Sequence, residues 1–347
     1  MINTSRCNGF ATAIKLFQMK LITPISGGKD SQATLLFCID KYGVENIHTV
    51  FCDTVWEHDL TYKHLEYLVE KTGVSYEILS SKKYDGFVDL CKKKKRFPSS
   101  QVGFCTIELK IVPMIDYILT LEESVIIFQG IRGDESKKRA KMSDECRYFK
   151  HYFEPYNSNM IMLENFYHNP PTTDKQKKTE KKAIERLLTG HNDEKYFTYR
   201  KKDVFAWCKK YADDIQRPFF YNSAEDVIYY SLNRDYKVNP LYFKGASRVG
   251  CFPCKNARHD EMELIIKEFP ETIEKIEKAE YYVDGTFFSP DYIPKRYHTG
   301  FDPKSEKTIC SIKDVVNYIT DKTSQHNLLE EFGYESTECK SVFNICE

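Results

Sequence analysis

The chain has 347 residues, 41% of them apolar and 29% charged, a globular composition that excludes a disordered chain. At one domain per roughly 150 residues the length corresponds to two domains, or one with large insertions. Fifty-one basic side chains balance fifty-one acidic ones, which excludes a wholesale polyanion binder and leaves only local patches as candidates. The stretch before Met19 (MINTSRCNGFATAIKLFQ) lacks the long apolar core of a signal peptide. No apolar run reaches the roughly 18–20 residues needed to span a bilayer. The expectation is a cytoplasmic chain with no membrane partner. Residues 1–18 read as an N-terminal extension and Met19 as an alternative start, since the fold signal begins directly after it.

Residues 21–25 form a short apolar run ending in Ser-Gly-Gly and predict a strand. A helix follows from Ser31, with Leu35, Leu36, Ile39 and Tyr42 on one face. Residues 46–53 (NIHTVFCD) predict a second strand ending on Asp53. Leu60, His64, Tyr67, Leu68 and Lys71 mark a second helix closed by Gly73, and residues 74–79 a third strand. A helix over residues 111–121 and a fourth strand over 125–131 (VIIFQGI) complete the first part. This alternation predicts an α/β fold, a parallel sheet flanked by helices and Rossmann-like. Ligands of such sheets bind at the carboxyl ends of the strands, beside a switch in strand order.

Residues 157–216 read differently, with Pro170-Pro171, a lysine-rich stretch (DKQKKTEKKAIERLL) and Trp207, and predict a helical insertion. The expected organisation is therefore an extension over 1–18, a nucleotide-binding domain over 19–156, the insertion over 157–216 and a cysteine-rich region over 217–347.

Ser26-Gly27-Gly28-Lys29-Asp30-Ser31, between a strand and a helix, is the strongest local signal. Two glycines let the backbone turn tightly and approach an anion without a Cβ in the way. Amides at the start of the following helix point at that anion, and the helix dipole favours it. Lys29 adds a positive charge, Ser26 and Ser31 add hydroxyls, and the spacing is not that of a Walker A loop.

These residues resemble the PP-loop of the adenine nucleotide alpha-hydrolases, and further segments resemble the phosphoadenosine phosphosulfate (PAPS) reductase-like family. The segments are Asp53-Thr54-Val55-Trp56-Glu57, then Cys105-Thr106 with Leu109-Lys110 and Pro113, and Gly130-Ile131-Arg132 with Glu135-Ser136 and Arg139. Asn239-Pro240-Leu241-Tyr242, followed by Val249-Gly250-Cys251 and Cys254, completes the family order. The resemblance implies ATP with Mg²⁺ along the strand ends and pyrophosphate as a product. Lys29, Asp30, Lys110 and Arg132 would carry the chemistry. Ser26, Gly27, Gly28, Ser31, Asp53, Thr54, Glu57, Gly130 and Ile131 would join Lys29, Asp30 and Arg132 around the nucleotide. Asp30 would help to position Mg²⁺; Asp53 either sits near the metal or caps residues 54–57. Val55 stands where the family has glycine. The intact loop resembles the ATP-using sulfurtransferase branch, and the Glu-Cys-Gly-x-His tail of the reductases is missing.

In a reducing compartment the twelve cysteines point to metal or catalysis rather than to disulfides. Cys251-Phe252-Pro253-Cys254 places two thiols on one tight turn, a metal-ligand spacing. Cys339 and Cys346 are the expected partners, with Cys310 in reserve. A four-thiolate set suits either Zn²⁺ or a [4Fe–4S] cluster, and the family context favours the cluster. A redox-active dithiol at Cys251 and Cys254 is a further reading. Cys38, Cys52 and Cys208 read as packing, and Cys105 lies on a loop entering the site. Basic runs at 92–96 (KKKKR) and 175–182 raise a nucleic-acid substrate as a partner.

The functional expectation is adenylation of an acceptor with pyrophosphate release, then attack by sulfur from a donor. One alternative is reduction of PAPS or adenylyl sulfate to sulfite with a thiol reductant. The other is a nucleotide-sensing module of a larger complex.

Overall fold

A computed structural model describes residues 19–99, 102–137, 139–149, 156–157, 163, 166–167, 170–189, 194–195, 199–302 and 306–331. The N-terminal extension, Cys339 and Cys346 lie outside the described residues.

The strands are β1 (Met19–Ile25), β2 (Ile47–Cys52), β3 (Ser75–Leu79), β4 (Ser124–Phe128), β5 (Glu145–Arg147) and β6 (Asp213–Gln216). They form one sheet in the order β3-β2-β1-β4-β6-β5. Every pairing is parallel except that of β5 with β6. The chain winds outward from β1 through β2 to β3, and from β4 to β6 on the other side. The order therefore reverses between β1 and β4, and the crevice at their carboxyl ends is where a doubly wound sheet binds ligands.

The pleat sorts the side chains into two cores. Ile22, Val50, Val125 and Ile127 face a layer containing Met114, Ile115 and Ile118. Leu21, Phe51, Ile126 and Phe128 face Leu35, Cys38 and Leu65 on the other side. Helix α1 (Lys29–Tyr42) covers that second face together with α2 (Asp59–Thr72), which ends on Gly73 at φ 69°. The residues expected to be helical over 111–121 form α3 (Val112–Ile118), preceded by a π-helical turn over Ile107–Ile111. Such turns aim side chains out of the regular helical register.

Within 157–216 the structure differs from a purely helical reading. Asp213–Gln216 is a strand of the main sheet, and Ile215 is buried on it. Trp207 packs edge-on to Phe149 at 5.6 Å and donates from Nε1 to the Leu121 carbonyl at 2.7 Å. A four-residue strand with a single buried apolar position carries too little periodicity to be seen in sequence. The lysine-rich stretch is helical over Asp174–Leu188, capped by Thr173 and Gln176, with only Ala183 buried.

A third core joins the C-terminal third to the loops of the sheet. Trp56 is buried there with Phe87, Phe97, Phe287 and Phe288, beside α4 (His259–Glu268) and α5 (Pro270–Val283). Cys310 is buried in the same core, and burial pushes its thiol up to about 12.

His64 is buried on α2, its Nε2 2.9 Å from Gln32 Oε1. Burial pulls its pKa down to about 4. Below pH ~6.5 the unfolded chain binds a proton that the folded chain refuses, so stability is full above that pH and is lost as pH falls toward 4. The expected loss over this window is about 3 kcal/mol. Urea titrations at pH 7 and pH 4.5 measure it; His64→Gln should flatten the slope, and an unchanged slope would assign the loss to other groups.

Candidate nucleotide and thiol site

The Gly27–Gly28 turn connects β1 to α1 at the switch point. Gly27 has φ 73°, and a Cβ there would lie 2.6 Å from Thr61 Cγ2, so glycine is required twice over. Ser31 Oγ donates to the Gly28 carbonyl at 2.9 Å and accepts from the Ser26 amide at 3.2 Å, which closes the loop on itself. Asn239 and Tyr242 clasp it from outside. Asn239 Nδ2 donates to the Gly27 carbonyl at 3.1 Å, and the Lys29 amide donates to the Tyr242 hydroxyl at 3.1 Å. Sequence reading placed these two residues in a family segment and assigned them no role, because the 212- and 213-residue separations become contacts only in the fold.

Gly130 lies against the start of α1. A Cβ at this position would stand 2.5 Å from the Ser31 nitrogen and 2.6 Å from the Asp30 carbonyl carbon. Its absence lets the loop after β4 pack directly on the first turn of the helix, beside the amides where an anion is favoured. Lys29 and Arg132 are both buried at this end. The Lys29 ammonium is 3.8 Å from Asp30 and 5.0 Å from the centre of the Tyr242 ring. Burial draws that ammonium below its ordinary value, with Asp30 opposing. Arg132 Nε donates to Asp30, and its Nη1 to Asp134. Asp30 is thus engaged by two cations rather than standing free toward solvent, an anchor that orients Lys29 and Arg132. Glu135 accepts from the Arg132 amide at 3.2 Å and pairs with Arg139. Ile131 lines the crevice beyond.

Asp53 stands one residue past β2. Its Oδ1 accepts from the Val55 amide at 2.8 Å and from the Tyr62 hydroxyl at 2.7 Å, so the carboxylate caps the turn. Glu57 is buried and accepts from the Thr54 hydroxyl at 2.8 and 2.9 Å. Val55 adopts φ 56°, in the left-handed region, with its side chain exposed. A β-branched residue there is strained, and Val55→Gly is expected to stabilise the fold by about 1 kcal/mol. A thermal melt checks this; a lower Tm would show that packing lost with the Val55 side chain outweighs the strain.

Two cavities flank Ser26. One, of about 270 Å³, lies over the β1/β4 crevice and is lined by Ile25, Ile127, Gly130, Ile131 and Tyr148. Its size and apolar lining suit a planar base. Cys52 lines it too, which sequence reading assigned to packing. The other, of about 300 Å³, is lined by Cys105, Cys251, Cys254, Arg139, Arg248 and Lys255. Ser26, Thr106 and Lys110 line both.

Lys110 therefore sits at the junction rather than among the cations of the loop. Cys251 and Glu57 hold its ammonium above the ordinary lysine range despite burial. The Cys251 thiol donates to Glu57 at 3.7 Å and lies 3.6 Å from the Thr54 hydroxyl. Burial pushes it up while Lys110 pulls it down. Burial likewise raises Cys105, with Lys255 opposing. The backbone of this loop is pinned by a bridge between Glu57 and Cys251 and by the bond from Trp56 Nε1 to the Pro253 carbonyl at 3.0 Å.

A four-thiolate metal centre needs more than these residues provide. Among the described residues no group of three or more His, Cys, Asp or Glu side chains is arranged to hold a metal ion. Cys251 and Cys254 are neighbours, Cys310 is committed to the C-terminal core, and Cys339 and Cys346 lie outside the described residues. The described residues thus hold two of the four expected ligands, Cys251 and Cys254, on one turn.

Two of the five cations of the basic run at 92–96 are ion-paired. Lys93 pairs with Asp89 at 2.8 Å and Lys94 with Glu108 at 2.9 Å, while Lys92 and Arg96 lie over the rings of Tyr282 and Phe104. No helix among the described residues is long and apolar enough to cross a membrane.

The family model described as the phosphoadenosine phosphosulfate reductase domain matches residues 20–257. An uncharacterised 37.8 kDa protein of Escherichia phage 186 is 27% identical, over 94% of this chain and 96% of its own. An uncharacterised protein of Methanocaldococcus jannaschii is 28% identical over 75% of this chain, which spans 41% of that relative. Among solved structures, the PAPS reductase of Candida auris in a phosphate complex covers 70% of this chain and 87% of its own, at 12% identity and a TM-score of 0.39. The U34-tRNA thiolase of Methanococcus maripaludis with its [4Fe-4S] cluster covers 76% and 69%, at 13% identity and a TM-score of 0.31. The family model spans the chain from the strand before the anion loop to just past the paired cysteines, and the chain belongs to the phosphoadenosine phosphosulfate reductase domain family.

Proposed function

We propose that this chain binds ATP with Mg²⁺ and activates an acceptor by adenylation, releasing pyrophosphate, as the first half of a sulfur transfer. An acceptor oxygen attacks the α-phosphorus, the bond to the bridging oxygen breaks, and pyrophosphate leaves with the electron pair. A hydrosulfide ion supplied by a sulfur donor then attacks the acceptor carbon, the C–S bond forming as the C–O bond to AMP breaks and AMP departs. The observation that carries the reading is the junction at Ser26, Thr106 and Lys110, shared by the base-sized crevice and the thiol-lined cavity. A nucleotide in the first would present its phosphates to the second. Lys29 and Arg132, anchored by Asp30, would take up the charge developing on pyrophosphate. Lys110 would do so from the thiol side. Ser26, Gly27, Gly28 and Ser31 would supply the loop's donors, and Thr54 and Glu57 would hold the wall beside Cys251.

A second reading, reduction of PAPS or adenylyl sulfate to sulfite, is favoured by the presence of Cys105, Cys251 and Cys254 in one cavity. A paired assay separates the two. Pyrophosphate release from ATP is measured with tRNA or DNA as acceptor, and sulfite release from PAPS with thioredoxin as reductant. Pyrophosphate without sulfite supports adenylation, and sulfite without pyrophosphate replaces it with reduction. Tight ATP binding with neither product favours a nucleotide-sensing module.

A further inference from the structure

We propose that Tyr242 is a positioning residue that ties the anion loop to the segment carrying Cys251, so that a nucleotide bound at the loop also orders the thiol wall. The proposal rests on the nucleotide reading of the loop. Tyr242 is buried, and its hydroxyl receives the Lys29 amide at 3.1 Å. Val249, two residues before Cys251, packs against the same small core as Tyr242. The Tyr242 hydroxyl and the Val249 carbonyl lie 3.5 and 3.6 Å from where a Gly28 Cβ would be, so both border the loop. Tyr242 thus stands between the loop and the stretch that leads to Cys251.

Asn239 does a different job. It grips the Gly27 carbonyl and Thr61, and its Oδ1 caps the short helix Pro240–Phe243 through the Leu241 amide at 3.0 Å. It holds the loop to α2 without touching the segment before Cys251. The Tyr242 ring adds a second tie to the loop by lying under the Lys29 ammonium. An anion that fixes the Lys29 backbone and side chain would thus fix the ring and hydroxyl, and through them Val249. Beyond Gly250 the chain is pinned at Cys251 and Phe252 to Glu57 and Trp56, and before it Ser247 and Arg248 are held by Glu261, which leaves Val249 and Gly250 as the span whose order Tyr242 influences.

Hydrogen exchange read by mass spectrometry tests this on the intact chain, in the presence and absence of ATP with Mg²⁺. In the wild type, ATP should slow exchange in peptides covering residues 20–36 and 243–256, by roughly fivefold or more, the lower range of coupling between linked sites. Tyr242→Phe should keep the protection of the first peptide and lose that of the second. Asn239→Ser should weaken ATP binding yet leave both peptides protected once ATP saturates. Protection of both peptides in the Phe variant overturns the proposal, as does wild-type protection confined to the loop peptide. Failure of the wild type to bind ATP overturns the nucleotide reading itself, an outcome distinguishable from the other two.

Discussion

Replacing Lys29 with alanine is expected to lower pyrophosphate release by about 10²–10³-fold, the usual consequence of removing one pre-oriented charge from a site where negative charge develops. The size follows from the setting. The ammonium is buried, held between Asp30 and the Tyr242 ring, and has already surrendered most of its hydration. An ion pair in so dry a site acts at a lower effective dielectric than one in water, which strengthens its pull on a departing phosphate. Fold stability should change much less, because Asp30 keeps Arg132 as a partner after the lysine is gone. A steady-state assay with a matched thermal melt measures both effects. Unchanged turnover in a folded variant would remove the loop from the mechanism.

The second large effect is expected at Gly130. Alanine here places a carbon 2.5–2.6 Å from backbone atoms of Asp30 and Ser31, and backbone at a helix start does not rotate away as a side chain would. Either β4 and α1 separate, at a cost of about 2–3 kcal/mol of overpacking, or the methyl fills the space above the first amides of the helix. Both outcomes remove nucleotide binding, and calorimetric titration with ATP should find none. Gly133→Ala is the contrasting substitution: its nearest atoms are at 3.4 Å in Phe220, an ordinary contact, and binding should persist. Loss of binding in both variants would point to general disruption of the loop after β4 rather than to the amide cradle.

Sequence patterns reveal local structure when the pattern is repeated or chemically unusual. The β1-loop-α1 unit is legible because apolar run, paired glycines and amphipathic helix fall in immediate succession over Met19–Ile25 and Lys29–Tyr42. The four strands with their own apolar pattern, β1 to β4, are legible for the same reason. β6 is not, since it is held by backbone bonds to Val125 and its neighbours and by one buried Ile215. Roles within the site divide similarly. Asp30 carries a charge that sequence reading directs toward Mg²⁺, and the fold gives it Arg132, 102 residues away, as a partner. Lys110 carries a charge that sequence reading directs toward pyrophosphate, and the fold sets it beside Cys251 and Glu57. Charge is a property of the residue, whereas its partner is a property of the fold.

The composition and the two even totals of charge first placed this chain among globular proteins without a bulk polyanion partner, and that much the sequence determined alone. It also determined the parallel sheet flanked by helices and the anion loop, because apolar periodicity and glycine placement act over a few residues and need no distant partner. Tertiary structure decided which chemistry those parts share. It set Cys105 in one cavity with Cys251 and Cys254 and closed Asn239 and Tyr242 over the loop. Each is a contact between residues far apart in the chain. Such contacts are fixed by how the layers pack, after local pattern has settled the layers themselves.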